Sequence, residues 1–180
     1  MVSGLKICQL LTVDEESLYM KKLYEYTWSM KIKRRVLNFG YSYDYRGYGK
    51  NIVYNMEEWL VELFNKCKCT LNMKIDCDAS KLMVIVNEYE PGQGISGHVD
   101  DTSKFGEWII CVVLNSGSNI IFTNGDERNS YYIKNRDVYA MTGDARYRYK
   151  HEITKTKSDK VDKDRIKRGI RVSITFRLKI

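Results

Sequence analysis

The stretch NEYEPGQGISGHVDD, residues 87–101, carries the first of only two histidines in a chain of 180 residues. In an extended segment side chains two apart share a face, so His98 and Asp100 point the same way and can hold one cation together. The other histidine, His151, follows the strand-like run ARYRYK, and adjacent strands of a barrel can bring it to the same spot. Two histidines and one carboxylate make the facial triad of non-haem Fe(II) oxygenases, which leaves coordination positions open. On its own His-x-Asp is a weak signal, because an exposed turn or a hydrogen-bonded pair gives the same spacing.

The last apolar run, RVSITFRLK, adds a second constraint. Val172, Ile174, Phe176 and Leu178 alternate with Arg171, Ser173, Thr175 and Arg177, so both arginines fall on the polar face of one strand. An interior position for two arginines is costly unless an anion meets them. A solvent-exposed edge strand is the alternative reading of the same pattern. Upstream, Asn87 and Tyr89 share a face at the end of LMVIV and can offer an amide and a phenol to that anion. Triad, arginines, amide and phenol together describe a site for a dianionic acid beside iron, as 2-oxoglutarate would be.

These residues need elements to carry them. Two segments have helical character, roughly 14–30 with Thr12 and Asp14 as caps, and roughly 55–66, where Met56, Leu60, Leu63 and Phe64 recur at helical spacing. From residue 80 the pattern changes to short strands, KLMVIVNEY, EWIICVVL, NIIFT, SYYIK, DVYAMTG, ARYRYKHEI and GIRVSITFRLKI, separated by turn residues. Helices followed by a strand-rich sandwich or barrel make the fold class α+β, mainly β. The polar run TKTKSDKVDKDRIKRG is expected to be a mobile loop.

At this point the sequence resembles the AlkB-like Fe(II)/2-oxoglutarate dioxygenases. The resemblance rests on NEYEPGQGISGHVD, MTGDARYRYKHEI and RVSITFR, in that order, and covers the chain from about residue 35 to the end. It implies a single domain, residues 1–180, with N-terminal helices and a nucleotide-recognition lid over about 1–79 and a double-stranded β-helix (jelly-roll) core over about 80–180. It implies His98, Asp100 and His151 as iron ligands and Asn87, Tyr89, Arg171 and Arg177 as 2-oxoglutarate binders. In the family the first arginine of R-x5-R meets the distal carboxylate, and the second helps hold the end nearer iron. The cofactors implied are Fe(II) and 2-oxoglutarate, with O2 as co-substrate.

The activity implied is oxidative demethylation of N-alkylated bases in DNA or RNA, releasing formaldehyde, succinate and CO2. A base must leave its stack to reach the metal, so single strands or flipped bases are the expected partners. NFGYSYDY is similar to the family's substrate-side segment, which makes Tyr41 and Tyr43, with the nearby Arg35, the substrate-binding candidates. Alternating tyrosines are equally the mark of a half-buried strand. The pattern is closer to the branch containing the tRNA-modifying animal homologue than to the bacterial repair enzyme. That enzyme reads His-x-Asp-x-Asp, whereas here Thr102 stands at the second acid and Asp101 one residue earlier, pointing to the opposite face. Base preference therefore does not carry over.

Charge agrees with a polyanionic partner. The net charge is +7; from Arg146 onward Lys and Arg far outnumber Glu152, Asp159, Asp162 and Asp164, and KIKRR (31–35) adds a second basic cluster. The longest apolar run, Trp108 to Leu114, falls far short of the roughly 20 residues of a membrane helix. Five irregularly spaced cysteines do not form a disulfide framework, and Cys67, Cys69 and Cys77 do not match a zinc knuckle. An intracellular protein, cytoplasmic or nuclear, is expected. The competing functions are a tRNA hydroxylase, a protein- or lipid-directed oxygenase of the same fold, and a catalytically silent nucleic-acid-binding module.

Overall fold

The computed structural model describes residues 1–30, 33–40 and 52–180, so Tyr41 and Tyr43 lie outside the described residues. The chain opens with β1 (Leu5–Gln9), α1 (Val13–Tyr24), β2 (Arg35–Phe39) and α2 (Glu58–Thr70). It continues through β3 (Leu82–Tyr89), β4 (Ile95–His98), β5 (Phe105–Leu114), β6 (Ser118–Asn124), β7 (Glu127–Ile133) and β8 (Asp137–Met141). The last elements are α3 (Gly143–Tyr147), β9 (Lys150–Ile153), β10 (Ser158–Val161), β11 (Asp164–Lys167) and β12 (Arg171–Lys179). A six-stranded antiparallel sheet runs β1-β8-β5-β12-β3-β2, and a four-stranded one runs β4-β9-β6-β7. The architecture is a jelly-roll.

Strand alternation sorts the large sheet into two faces. Val84 and Val86 of β3, Ile110 and Val112 of β5, and Val172, Ile174 and Phe176 of β12 turn outward onto Leu23 of α1 and Leu60, Leu63 and Phe64 of α2. Ile85, Ile109, Cys111 and Tyr139 turn inward, toward Ile120, Phe122 and Ile153 of the small sheet. β12 lies between β3 and β5, so it is buried on both faces, and the edge-strand reading of Arg171 and Arg177 is excluded. No described helix is long and apolar enough to cross a membrane.

Four local differences from expectation have physical causes. Helix α1 starts as predicted, with Thr12 and Glu15 exchanging backbone bonds in a capping box (3.2 and 2.9 Å), but it ends at Tyr24. Beyond it Ser29 bridges to Val36, which draws the chain toward the sheet. The N-terminal part is also not helices alone, since β1 and β2 form the two edges of the large sheet. The run ARYRYKHEI begins as a helical turn, because Gly143 takes a positive φ of 48° and Ala145 donates back to the Ser3 carbonyl. Within the run expected as a mobile loop, β10 and β11 pair as a hairpin, anchored where Arg168 grips the buried Asp159 through two bonds of 2.5 and 2.6 Å.

Candidate active site

His98 ends β4 and pairs with His151 of β9 in register, their ring centroids 4.3 Å apart. Asp100 follows in the connector to β5, its Oδ2 lying 3.5 Å from His151 Nε2. One ligand atom from each of the three lies within 4.8 Å of the others. His98 Nδ1 sits 2.9 Å from the Ser96 carbonyl, which can only accept. In the neutral ring that contact makes Nδ1 the protonated nitrogen and leaves the lone pair on Nε2. Burial pushes the His151 imidazole down to about 3, so it is neutral at pH 7.

Burial works against charge on Asp100, but Arg177 more than offsets it and holds the carboxyl below the usual carboxylate range. The Arg177 Nε and Nη2 atoms reach Asp100 Oδ1 at 2.8 and 2.7 Å. Oδ2 is buried and has no hydrogen-bond partner among the described residues. An ionised oxygen left unsatisfied beside two imidazoles fits a divalent cation, and this donor set suits iron. Asp101 does not join the cluster; its Oδ1 accepts from the backbone and hydroxyl of Ser103 at 2.9 and 2.6 Å.

The same residues line one end of a cavity of about 520 Å³ between the two sheets. Arg171 lines it as well, 3% exposed, and none of its three guanidinium nitrogens has a hydrogen-bond partner among the described residues. Its Cζ lies 5.6 Å from the centre of the Tyr89 ring. Such burial of an unsatisfied guanidinium is costly, and a carboxylate is the ligand that would match its fork. Asn87, Tyr89, Arg171 and Arg177 therefore all border one space, as does the triad. Arg177, expected near the cosubstrate, is engaged with Asp100.

Arg35 is placed elsewhere. Its Nε and Nη2 bind Glu88 at 2.6 and 2.7 Å, and its Cζ lies 5.6 and 5.2 Å from the rings of Tyr24 and Trp28, on the helix side of the sheet. Arg34 takes the cavity position instead, with Nε 2.7 Å from Asn87 Oδ1 and Cζ 5.4 Å from the Tyr89 ring. The signal lies in RRVLNF, where Leu37 and Phe39 share Arg35's parity and pack on the helices. Asn38, with a buried and unpartnered Nδ2, also borders the cavity, and no motif singles it out.

A model of the 2OG-Fe(II) oxygenase superfamily matches residues 9–177. Among curated proteins, "Uncharacterized protein L905" of Acanthamoeba polyphaga mimivirus is 33% identical over 172 residues, covering 93% of this chain and 80% of that protein. The tRNA (carboxymethyluridine(34)-5-O)-methyltransferase ALKBH8 of Macaca fascicularis is 30% identical over 80% of this chain, which spans only 24% of that protein. Among solved structures OsALKBH1 superposes with a TM-score of 0.73 over 98% of this chain and 99% of that one, at 13% identity. A Pseudomonas putida prolyl-4-hydroxylase follows the same fold with a TM-score of 0.55, 13% identity and coverage of 99% and 93%. The chain belongs to the 2OG-Fe(II) oxygenase superfamily as an AlkB-like dioxygenase, with Fe(II) and 2-oxoglutarate as cofactors and O2 as co-substrate.

Proposed function

We propose that this chain oxidatively demethylates N-alkylated bases of DNA or RNA. In this reading His98, Asp100 and His151 hold the iron, and Arg171, flanked by Tyr89 and Asn87, receives the distal carboxylate of 2-oxoglutarate. Bound together with O2, iron and 2-oxoglutarate supply the oxidising equivalent that hydroxylates a C–H bond and leaves succinate and CO2. A hydroxymethyl group formed on a base nitrogen then leaves as formaldehyde and restores the base.

The chain's own residues set the conditions for this. Arg177 keeps Asp100 ionised and pointed at the metal position. The neutral His151 presents a lone pair without first losing a proton, and the Ser96 carbonyl orients the His98 ring. Apolar walls from Ile85, Ile109 and Ile120 exclude water around the reacting carbon.

The observation that carries the nucleic-acid reading is the cavity itself. At about 520 Å³ it leaves room beside a five-carbon diacid for a flat base, and its β2 edge offers Arg34 and Asn38 to such a guest. The surplus of +7 supports a polyanionic partner, as do relatives named for tRNA modification and, in Arabidopsis thaliana, "Alkylated DNA repair protein ALKBH8 homolog". Purified protein with Fe(II), 2-oxoglutarate and a panel of methylated DNA, RNA and tRNA oligonucleotides tests the proposal. It predicts formaldehyde and succinate in equal amounts and loss of one methyl mass from at least one oligonucleotide. Succinate production stimulated by a peptide, with no formaldehyde from any oligonucleotide, would move the substrate to protein.

A further inference from the structure

Arg146 belongs to the basic surplus of the C-terminal third by sequence, yet it is only 2% exposed and among the largest fully buried side chains. Among the described residues it forms no ion pair. Its guanidinium is spent on backbone instead. Nη1 donates to the Asp100 carbonyl at 2.8 Å, Nε to Gly106 at 3.1 Å, and Nη2 to Phe105 and Asp101 at 3.1 and 3.4 Å. Asp100 and Asp101 lie in the connector that leaves β4 after His98, and Phe105 and Gly106 are the first two residues of β5, so the four carbonyls bracket the stretch that carries Asp100.

The other end of the bolt is equally placed. Arg146 sits on α3, whose backbone is tied to the N-terminus through Ala145 and Ser3, and five residues later the same segment delivers His151 on β9. One buried side chain thus joins the two segments that supply all three members of the His98, Asp100, His151 cluster. Asp100 is gripped twice, by Arg177 at its carboxylate and by Arg146 at its own carbonyl.

We propose that Arg146 is a positioning residue for the metal centre, holding the Asp100 connector in the shape that lets the three side chains meet on one cation. The proposal rests on reading those three residues as the metal ligands. Electrostatics alone predicts the opposite effect of removing it, because a fixed positive charge near the site repels a divalent cation. The sign of the change in metal affinity therefore separates positioning from charge, and a purely structural role would lower stability without changing the affinity of the folded protein.

The experiment titrates metal-free protein with Co(II), reading visible absorbance and calorimetric heat, for wild type, Arg146→Met, Arg146→Lys and His98→Ala, with thermal melts by circular dichroism of each. Expected is a loss of Co(II) affinity of about 10–100-fold in Arg146→Met, the range for residues that orient metal ligands. Arg146→Lys, with charge but no fork, should fall between Arg146→Met and wild type. Should Arg146→Met not fold, Arg146→Lys decides, and weaker binding than wild type supports the proposal. Unchanged or tighter Co(II) binding in folded Arg146 variants overturns it. Wild-type affinity in His98→Ala instead overturns the ligand assignment on which it rests.

Discussion

Arg168 and Arg171 stand three residues apart, are both buried, and have opposite fates. Arg168 donates to both carboxylate oxygens of Asp159 and, at 2.7 Å, to the Thr154 carbonyl, so its fork is closed within the protein. Arg171 is more deeply buried, and its guanidinium donates to nothing among the described residues. Burial of a charge is therefore no mark of a site by itself; unsatisfied donors are. The first arginine fastens the β10–β11 hairpin, and the second faces a cavity shared with His98, Asp100 and His151.

The largest expected effect breaks this pair apart by stability. Arg168→Met strands Asp159 in the interior and should cost about 3–5 kcal/mol of unfolding free energy, measured by denaturant titration. Arg171→Met should leave the ligand-free protein as stable as wild type or more so, because it removes an unsatisfied buried charge. Equal losses in the two variants would erase the distinction.

A smaller effect sharpens the comparison through pH. His151, buried at the same cavity as Arg171, is held neutral, with its folded value lowered to about 3 against about 6.5 in the unfolded chain. Between those values the unfolded chain binds a proton that the folded one excludes, so stability of the metal-free protein falls as pH drops through that window. The slope is at most about 1.4 kcal/mol per pH unit. Asp100, whose folded value is depressed, loses its contribution only at lower pH, below the usual carboxylate range. Denaturation midpoints at pH 7 and 5 should therefore separate for wild type and converge for His151→Gln.

The smallest effect concerns the two neighbours on β2. Arg35→Lys keeps a cation beside Glu88 but gives up one of the two bonds to it and should cost about 1 kcal/mol of stability, with no effect on substrate turnover. Arg34→Ala, on the cavity side, should raise the KM for the proposed nucleic-acid substrate in steady-state assays while leaving the fold intact.

Much of this site is legible in the amino-acid sequence, and the reasons are specific. The two-residue period of RVSITFR puts Arg171 and Arg177 on one face whatever their partners are, and burial on both sides of β12 makes that face interior. His-x-Asp gains meaning from family resemblance and from the scarcity of histidine. The features that local pattern hides are tertiary. In ARYRY the alternation of Arg and Tyr mimics a strand, and only packing against the N-terminus and the Asp100 connector makes it helical with Arg146 inside. The β10–β11 hairpin reads as mobile because β11 is exposed throughout, and the buried bond that fixes it joins residues nine apart. Arg35 turns to the helices and Arg34 to the cavity, a parity set by the apolar Leu37 and Phe39.

Binding of 2-oxoglutarate to Mn(II)-loaded protein, measured by calorimetry for wild type, Arg171→Met and Arg168→Met, goes to the heart of the contrast between the two arginines. Arg171→Met should weaken binding by about 2–5 kcal/mol, while folded Arg168→Met binds as wild type does. Wild-type affinity in Arg171→Met would contradict the assignment of the cavity as the 2-oxoglutarate site.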